Sequence, residues 1–251
     1  MTHKAPSSPT GIRLSRLSIE NYKKLDELEI ELPAPLMDGD LDILVLGSKN
    51  GGGKASVLEC CSLLMVAGAV GPMKRHRFPD SESMLDLYGP LVRAGSKKAV
   101  IAGDFERDGK KCTVRLSINS EGFGEPEVSG DSLFKNDASQ LRWNGLEQAL
   151  SSILALSGEP LIMPPLLHFN SYRKVQESNP ELGMMAEDYH RKPASRAALL
   201  LARRTTITPV SAFKLEQLRR LAPCNQYILA THSEEFFRSV DESRRRVLVP
   251  K

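Results

Sequence analysis

The stretch LDILVLGSKNGGGKASVLECC, residues 41–61, places a glycine-rich loop between two apolar runs. Residues 41–46 are short and rich in branched side chains, as is typical of a strand that is buried on both faces. Residues 54–70 carry no polar face beyond Glu59 and Ser62, which predicts a helix buried all around. The stretch therefore predicts a strand, a loop and a helix, with Lys54 at the start of the helix.

The loop is similar to the pattern G-x-x-x-x-G-K-[ST], in which backbone N–H groups form a nest for anions at a helix N-terminus. In this pattern the lysine reaches the β- and γ-phosphates of a nucleotide, and the last hydroxyl holds Mg²⁺. We therefore predict that ATP is the cofactor, together with Mg²⁺. The predicted binding residues are Ser48, Asn50, Gly51, Gly52, Gly53, Lys54, Ala55 and Ser56.

Two positions depart from the pattern. Ser48 stands in the first glycine position, with Gly47 one place early, and Ala55 stands where a hydroxyl is expected. Ser56 follows, but its side chain points about 100° away around a helix and is no automatic substitute. We expect weakened Mg²⁺ binding or turnover, whether Ala55 is natural or engineered from Thr or Ser. A glycine-rich hairpin without a ligand is the alternative interpretation.

Elsewhere, alternation of apolar and polar residues predicts two antiparallel hairpins. One covers residues 12–33, and the other joins residues 99–106 to 111–118 through a turn at Asp108-Gly109. The remaining predictions, in chain order, are a loop at 119–140, a helix at 141–156, a strand and polar loop within 161–174, a helix after Pro193, a buried strand at 225–233, and a short helix followed by the strand VLVP within 234–250. These elements predict an α/β fold of the P-loop NTPase kind, with a mixed sheet, N-terminal antiparallel hairpins and flanking helices.

The bulk composition fits one large folded domain. The chain has 251 residues, of which 41% are hydrophobic and 26% charged, and a formal net charge of +3. It contains no apolar run of about 18 residues and no signal-like N-terminus, which predicts a cytoplasmic protein without a membrane span. Residues 1–11 are expected to form a flexible arm. The four cysteines show no metal-ligand spacing and are interpreted as core thiols, and no metal-binding residues are predicted.

Three stretches together resemble an ATPase head of the RecF/SMC/ABC superfamily. They are IRLSRLSIENYKKLDELEIEL, NGGGKASVLE and YILATHSEEFF. The nearest resemblance is to bacterial anti-phage defence ATPases of the PtuA and OLD type, including those encoded beside retrons. It implies that His232 is the switch histidine on the γ-phosphate side, and therefore a catalytic residue, with a strand-end histidine in a hydrogen-bonded turn as the alternative. It also places Asn170, Tyr172 and Arg173 near the nucleotide, with a solvated turn as the alternative.

The resemblance further implies a function for the parent protein. ATP would be held between two heads of a head-to-tail homodimer or higher oligomer that senses infection. The dimer would control a separate effector nuclease of the HNH type, with a reverse transcriptase or nucleic acid as a further partner. The sequence leaves two alternatives open: a RecF-like DNA-repair ATPase, and a nucleotide-binding scaffold that does not hydrolyse ATP.

Two motifs of such heads are absent from the sequence. We find no LSSG-like signature between residues 120 and 225, and no apolar run followed by the Asp-Glu of Walker B. In relatives both lie between elements like RRTTITPVSAFKLE and QLRRLAPCNQ. We therefore predict a single head domain over residues 1–251 that is incomplete, with a junction near Glu216–Gln217. The missing segment is either deleted or left out of this sequence.

Short basic runs have two possible roles. KRHR (74–77), Lys97-Lys98, Lys110-Lys111 and RRR (244–246) could contact DNA phosphates, which would give salt-dependent affinity without sequence readout. They could equally form a solvated face balanced by the 31 acidic residues.

Overall fold

The computed structural model describes residues 11–35, 40–48, 52–71, 88–134, 149–150, 153–154, 161–163, 166–168, 226–231 and 234–248. Its strands are β1 (Arg13–Tyr22), β2 (Leu25–Glu31), β3 (Asp42–Gly47), β4 (Lys98–Arg107), β5 (Lys110–Asn119), β6 (Gly122–Phe123), β7 (Glu127–Gly130), β8 (Leu161–Met163), β9 (Leu166–His168), β10 (Gln226–Thr231) and β11 (Arg245–Val247). Its helices are α1 (Lys54–Val70) and α2 (Glu234–Ser239), with 3₁₀ turns at Gly89–Leu91 and Glu242–Arg244.

Both predicted hairpins are confirmed, and they lie side by side in one antiparallel sheet. Its strand order is β2-β1-β4-β5-β6, and β7 also pairs with β5. The turn between β4 and β5 has positive φ at Asp108 (52°) and Gly109 (76°). Two successive residues with positive φ are the signature of a two-residue hairpin turn, which Asp-Gly favours. One face of this sheet turns its apolar side chains into the main core.

A second sheet is parallel and has the order β10-β3-β11. Alternate side chains of β3 enter two different clusters: Leu44 and Leu46 join the main core with α1, whereas Ile43 and Val45 pack with Phe236 of α2. The prediction that this strand is buried on both faces is therefore confirmed.

Helix α1 packs against both sheets, contacting β1, β4 and β5 on one side and β10 on the other. This position explains why it has no polar face, and the predicted buried helix over residues 54–70 is confirmed. The helix approaches the antiparallel sheet closely at Gly103 of β4. A Cβ atom there would lie 2.8 Å from side-chain atoms of both Leu14 and Leu64.

Two polar side chains join the sheets. The guanidinium group of Arg13 donates to Asp42 Oδ2 at 2.6 Å, to Glu106 Oε1 at 2.8 Å and to the Leu32 carbonyl at 2.5 Å. The Gln226 amide group accepts from Leu14 N at 2.9 Å and donates to Leu14 O at 2.8 Å. Strand β1 of the antiparallel sheet is thus tied to β3 and β10 of the parallel sheet.

Several sequence predictions need correction. The predicted loop at 119–140 contains β6 and β7, because the chain turns back to pair with β5, with Gly122 and Gly130 at positive φ. Strand β10 is half-buried rather than buried along residues 226–230, since within the described residues it pairs with β3 alone. Strand β11 begins at Arg245, two residues before VLVP, because Arg245–Val247 pair with Val45–Gly47.

Other predictions fall partly or wholly outside the described residues. The predicted helix at 141–156 is helical at 149, 150 and 153, and the predicted strand within 161–174 is a pair of short antiparallel strands, β8 and β9. Residues 1–10, the helix after Pro193 and the junction near Glu216–Gln217 lie outside the described residues. The predicted α/β class, with N-terminal antiparallel hairpins, flanking helices and the P-loop order of strand, loop and helix, is confirmed. Among the described residues, the predicted mixed sheet is divided into a separate antiparallel sheet and a separate parallel sheet.

Candidate nucleotide site

The glycine-rich loop lies at the carboxyl end of β3 and leads directly into α1. Ser48 follows the last residue of β3, and Gly52 and Gly53 precede Lys54, the first residue of the helix. In open α/β sheets, ligands bind outside the carboxyl ends of the strands. The loop therefore occupies the position where such a fold places a phosphate group.

Gly53 is required at the N-cap of α1 for two reasons. Its φ of 85° and ψ of 6° are left-handed, a conformation that side chains with a Cβ rarely adopt. A Cβ atom there would also lie 2.6 Å from Leu25 Cδ2 of β2. The Gly53 carbonyl accepts from Val57 N at 3.0 Å, which closes the first helical turn. The chain thus turns from loop to helix under the tip of the first hairpin.

Lys54 reaches back to Ser48 and is only 7% exposed. Its Nζ atom donates to the carbonyl oxygen and to the hydroxyl of Ser48, both at 2.9 Å. Burial lowers the pKa of the Lys54 ammonium. A nearby anion would oppose this shift, because it stabilises the charged form of the lysine. The departure from glycine at position 48 therefore has a structural consequence, since the serine hydroxyl supplies a contact to the lysine.

Gly47, the glycine that stands one place early, has its own structural reason. A Cβ atom at this position would lie 2.8 Å from two ring carbons of Phe237 in α2. Gly47 also pairs with Thr231 of β10 and Val247 of β11, and its carbonyl accepts from Leu248 N at 2.8 Å. Sequence reasoning missed Phe237, although the displaced glycine was a signal that another residue packs closely against the end of β3.

The remaining predicted site residues divide into two groups. Ala55 and Ser56 are half-buried in the first turn of α1. Because adjacent helical residues point about 100° apart, the Ser56 hydroxyl does not take the place of a hydroxyl at position 55. Asn50, Gly51 and His232 lie outside the described residues, as do Asn170, Tyr172 and Arg173. Across the residues whose structure is described, no group of three His, Cys, Asp or Glu side chains could hold a metal ion.

A buried carboxylate on α1 holds the tip of the first hairpin next to the loop. Glu59 accepts from Lys23 Nζ at 2.6 Å and from the Tyr22 hydroxyl at 3.2 Å. Burial raises the pKa of Tyr22 well above its ordinary value, and the nearby Cys60 and Glu59 raise it further. The sequence alone shows Glu59 only as a polar interruption of α1, because its partners come from a different element.

The tip of the hairpin is also fixed from its other side. Asn21 and Lys23 have positive φ, 55° and 50°. Lys23 N donates to Leu91 O and Arg93 N donates to Asn21 O, both at 2.8 Å. The turn that carries Leu25 toward Gly53 is therefore held between α1 and the segment that follows the Gly89–Leu91 turn.

The described cysteines lie in the core of the protein. Cys60, Cys61 and Cys112 are buried as predicted, and burial raises the pKa of Cys61 to about 12 and that of Cys112 to about 11, which disfavours reactive thiolates.

The run RRR is partly used inside the protein. Arg244 donates to the Leu41 carbonyl at 2.6 Å and to Asp40 at 3.2 Å. Arg245 lies 5.6 Å from the centre of the Phe237 ring. Lys97, Lys98, Lys110 and Lys111 are exposed, and the run KRHR lies outside the described residues.

No helix in the described ranges is long and apolar enough to cross a bilayer.

No protein-family model matches the sequence, and no curated protein matches it. Solved structures do show similarity. The recombination mediator protein RecF with ATP, from the RecFOR pathway, is 16% identical, with 51% of this chain and 28% of that chain covered and a TM-score of 0.32. The SMC head bound to the C-winged helix domain of ScpA is 15% identical, with 61% and 42% covered and a TM-score of 0.32.

The SMC head domain from Thermotoga maritima is 14% identical, with 91% of this chain and 92% of that chain covered and a TM-score of 0.39. The present chain thus spans little more than a quarter of the length of the RecF chains that it matches. All of these TM-scores lie below 0.5. The chain is similar in outline to RecF and SMC heads, and its function has to be inferred from its own residues.

Proposed function

We propose that this chain binds ATP through the loop from Ser48 to Ser56. The observation that carries the proposal is the position of Lys54, which is buried at the start of α1 and donates to Ser48 across the loop. A left-handed Gly53 precedes it, and the loop lies at the carboxyl end of a parallel strand. A helix N-terminus with a lysine at this position favours a phosphate group.

The roles of the residues follow from this arrangement. Backbone N–H groups at the start of α1 would face the phosphates, and Lys54 would move its donors from Ser48 to the β- and γ-phosphate oxygens. Asn50 and Gly51 would complete the loop, and His232 would approach from the end of β10. Ala55 offers no oxygen for Mg²⁺, so the residues fit the nucleotide better than the metal, and slow or absent hydrolysis is expected.

Calorimetric titration with ATP tests the binding proposal. Lys54→Ala should weaken ATP affinity at least about tenfold, because a hydrogen bond from a charged group contributes roughly 1.5–3 kcal/mol. Lys98→Ala, which removes an exposed lysine from β4, is the matched control and should leave affinity unchanged. A wild-type protein that takes up no ATP at millimolar concentration would sink the proposal.

A second experiment concerns Ala55. Ala55→Thr restores the hydroxyl that the pattern requires, and should make ATP binding depend on Mg²⁺ and increase any ATP turnover. Ala55→Val has nearly the same shape without the hydroxyl and serves as the control. Equal behaviour of the Thr and Val variants would show that the missing metal ligand does not limit the site.

The wider role that we infer rests on the resemblance to defence ATPases. In this proposal the full protein is a cytoplasmic head-to-tail dimer or higher oligomer that senses phage infection and controls a separate HNH-type nuclease, with a reverse transcriptase or nucleic acid as a further partner. The alternatives are a RecF-like DNA-repair ATPase and, favoured by Ala55, a non-hydrolysing scaffold. Gene neighbours separate the first two, since a reverse transcriptase or HNH gene supports defence and replication genes support repair.

The incomplete head remains a proposal too. A junction near Glu216–Gln217 would explain why the sequence lacks the signature and Walker B, and therefore the acidic groups that hold Mg²⁺ and activate water. Intact mass of the purified polypeptide tests whether a segment was left out of the sequence. A value equal to 27.7 kDa would exclude that possibility and leave a deletion.

A further inference from the structure

We propose that Phe237 of α2 is a positioning residue for the phosphate loop. The inference rests on the proposed ATP site and adds a residue outside the loop that holds it in a binding geometry. Phe237 lies far from the loop in sequence, but its ring covers Gly47, the last residue of β3.

Helix α2, which carries this half-buried ring, is anchored by its buried neighbour. The neighbouring Phe236 is 1% exposed and packs with Val240 against Ile43 and Val45, so α2 is anchored on the outer face of β3. The guanidinium carbon of Arg245 also lies over the Phe237 ring, 5.6 Å from its centre. Cations at such distances are attracted to the face of an aromatic ring.

A displacement of Gly47 would reach the proposed binding residues directly. Gly47 is bonded to Ser48, and both side-chain and backbone oxygens of Ser48 receive hydrogen bonds from Lys54. The Gly47 carbonyl is also fixed by Leu248 N. The ring therefore lies next to the point where β3 ends and the loop begins. Helix α2, which carries it, follows closely on the end of β10 that precedes His232.

The two glycines at the ends of the loop differ in a way that makes the inference testable. Gly53 has a φ of 85° and needs glycine whatever its neighbours are. Gly47 is not among the residues with positive φ, so an alanine there would clash with the Phe237 ring without straining the backbone. A smaller residue at position 237 should relieve Gly47→Ala, whereas a smaller residue at position 25 should not relieve Gly53→Ala.

The experiment is a double-mutant cycle read by ATP affinity well below the unfolding temperature. Gly47→Ala and Phe237→Ala should each weaken ATP binding several-fold, and the double variant should bind no more weakly than Phe237→Ala alone, because directly contacting residues couple. The matched cycle with Gly53→Ala and Leu25→Ala should show no such relief. Where Phe237→Ala does not fold, Phe237→Leu replaces it.

A second readout separates positioning from simple support of the fold. In the absence of nucleotide, Phe237→Ala should speed amide exchange at Ser48 and residues 52–57 more than in β4 and β5. If the wild type binds no ATP, the proposed function is wrong, but the amide-exchange comparison still tests whether Phe237 positions the loop. Unchanged exchange in the loop, or additive effects of Gly47→Ala and Phe237→Ala on ATP affinity, would overturn it.

Discussion

The two sheets of this protein are assembled in opposite ways. In the antiparallel sheet, β1 pairs with β2 and β4 with β5 across short turns. In the parallel sheet, β3 pairs with β10 and β11, which lie near the other end of the chain. The candidate nucleotide site lies on the parallel sheet, at the carboxyl end of β3. The fold thus combines an antiparallel sheet built from two local hairpins, joined through β1 and β4, with a site whose surroundings come from distant segments.

The largest predicted effect on stability concerns the contact between the two sheets. Arg13→Met removes the guanidinium group that joins Asp42, Glu106 and the Leu32 carbonyl. The side chains of Arg13 and Asp42 are only 10% and 16% exposed. Removing one partner of a buried pair leaves an uncompensated charge, so we expect a loss of about 3 kcal/mol in the free energy of unfolding.

Urea unfolding measures this loss, and a second arginine on β1 provides the control. Arg16 pairs with Glu29, but their side chains are 51% and 55% exposed. Arg16→Met should therefore change the free energy of unfolding by less than about 1 kcal/mol. Equal effects of the two substitutions would mean that Arg13 does not join the sheets energetically.

A second prediction tests the packing of α1 on the antiparallel sheet. Gly103→Ala places a methyl group 2.8 Å from side-chain atoms of Leu14 and Leu64, where α1 packs on β4. Overpacking of a dense core typically costs about 1–3 kcal/mol, and we expect a loss of this size in urea unfolding. Gly89→Ala is the control, since nothing lies within 4 Å of its added methyl group. A Gly103→Ala variant as stable as the wild type would show that α1 can shift away from the antiparallel sheet.

The same contrast, between local and distant contacts, explains which features could be predicted from the sequence. The hairpins, β3 and α1 were predicted because alternation and apolar runs report local structure, and the turn at Asp108-Gly109 needs only its own residues. Phe237, Leu25 and Lys23 were missed because their roles depend on contacts with Gly47, Gly53 and Glu59 in other segments. A single sequence indicates that a glycine is out of place without indicating which side chain displaced it.

A third prediction concerns the other link between the sheets. The Gln226 amide group pairs with both the N–H and the carbonyl of Leu14, at 2.9 and 2.8 Å. Gln226→Leu should cost about 1–2 kcal/mol in urea unfolding, because two backbone groups of β1 lose their partner. Gln226→Glu keeps an acceptor for Leu14 N but cannot donate to Leu14 O, and should fall between wild type and the Leu variant. A Glu variant less stable than the Leu variant would point to repulsion from Asp42 instead.

The smallest expected effect is a dependence of stability on pH at the same junction. Burial raises the pKa of Asp42 from its ordinary 3.8, even though Arg13 and the Gln226 amide lower it. Because the folded state favours the protonated carboxyl, its contribution to stability is fully present below 3.8 and is lost as pH rises through the folded pKa. The stability of the wild type relative to Asp42→Asn should therefore fall as the pH increases toward neutrality, measured as the urea midpoint.

Asp241, at the turn before β11, provides a control of the opposite sign. Hydrogen bonds from the Ser243 side chain and backbone lower the pKa of Asp241, so its contribution is present above 3.8 and is lost as the pH falls through the folded pKa. Wild type relative to Asp241→Asn should thus gain stability as the pH rises. In Arg13→Met the pKa of Asp42 should rise further, because the guanidinium group no longer opposes burial. The fall in stability with rising pH would then extend to higher pH, which would assign this pH dependence to Asp42 at the contact between the sheets. An unchanged pH profile would assign the pH dependence to another group.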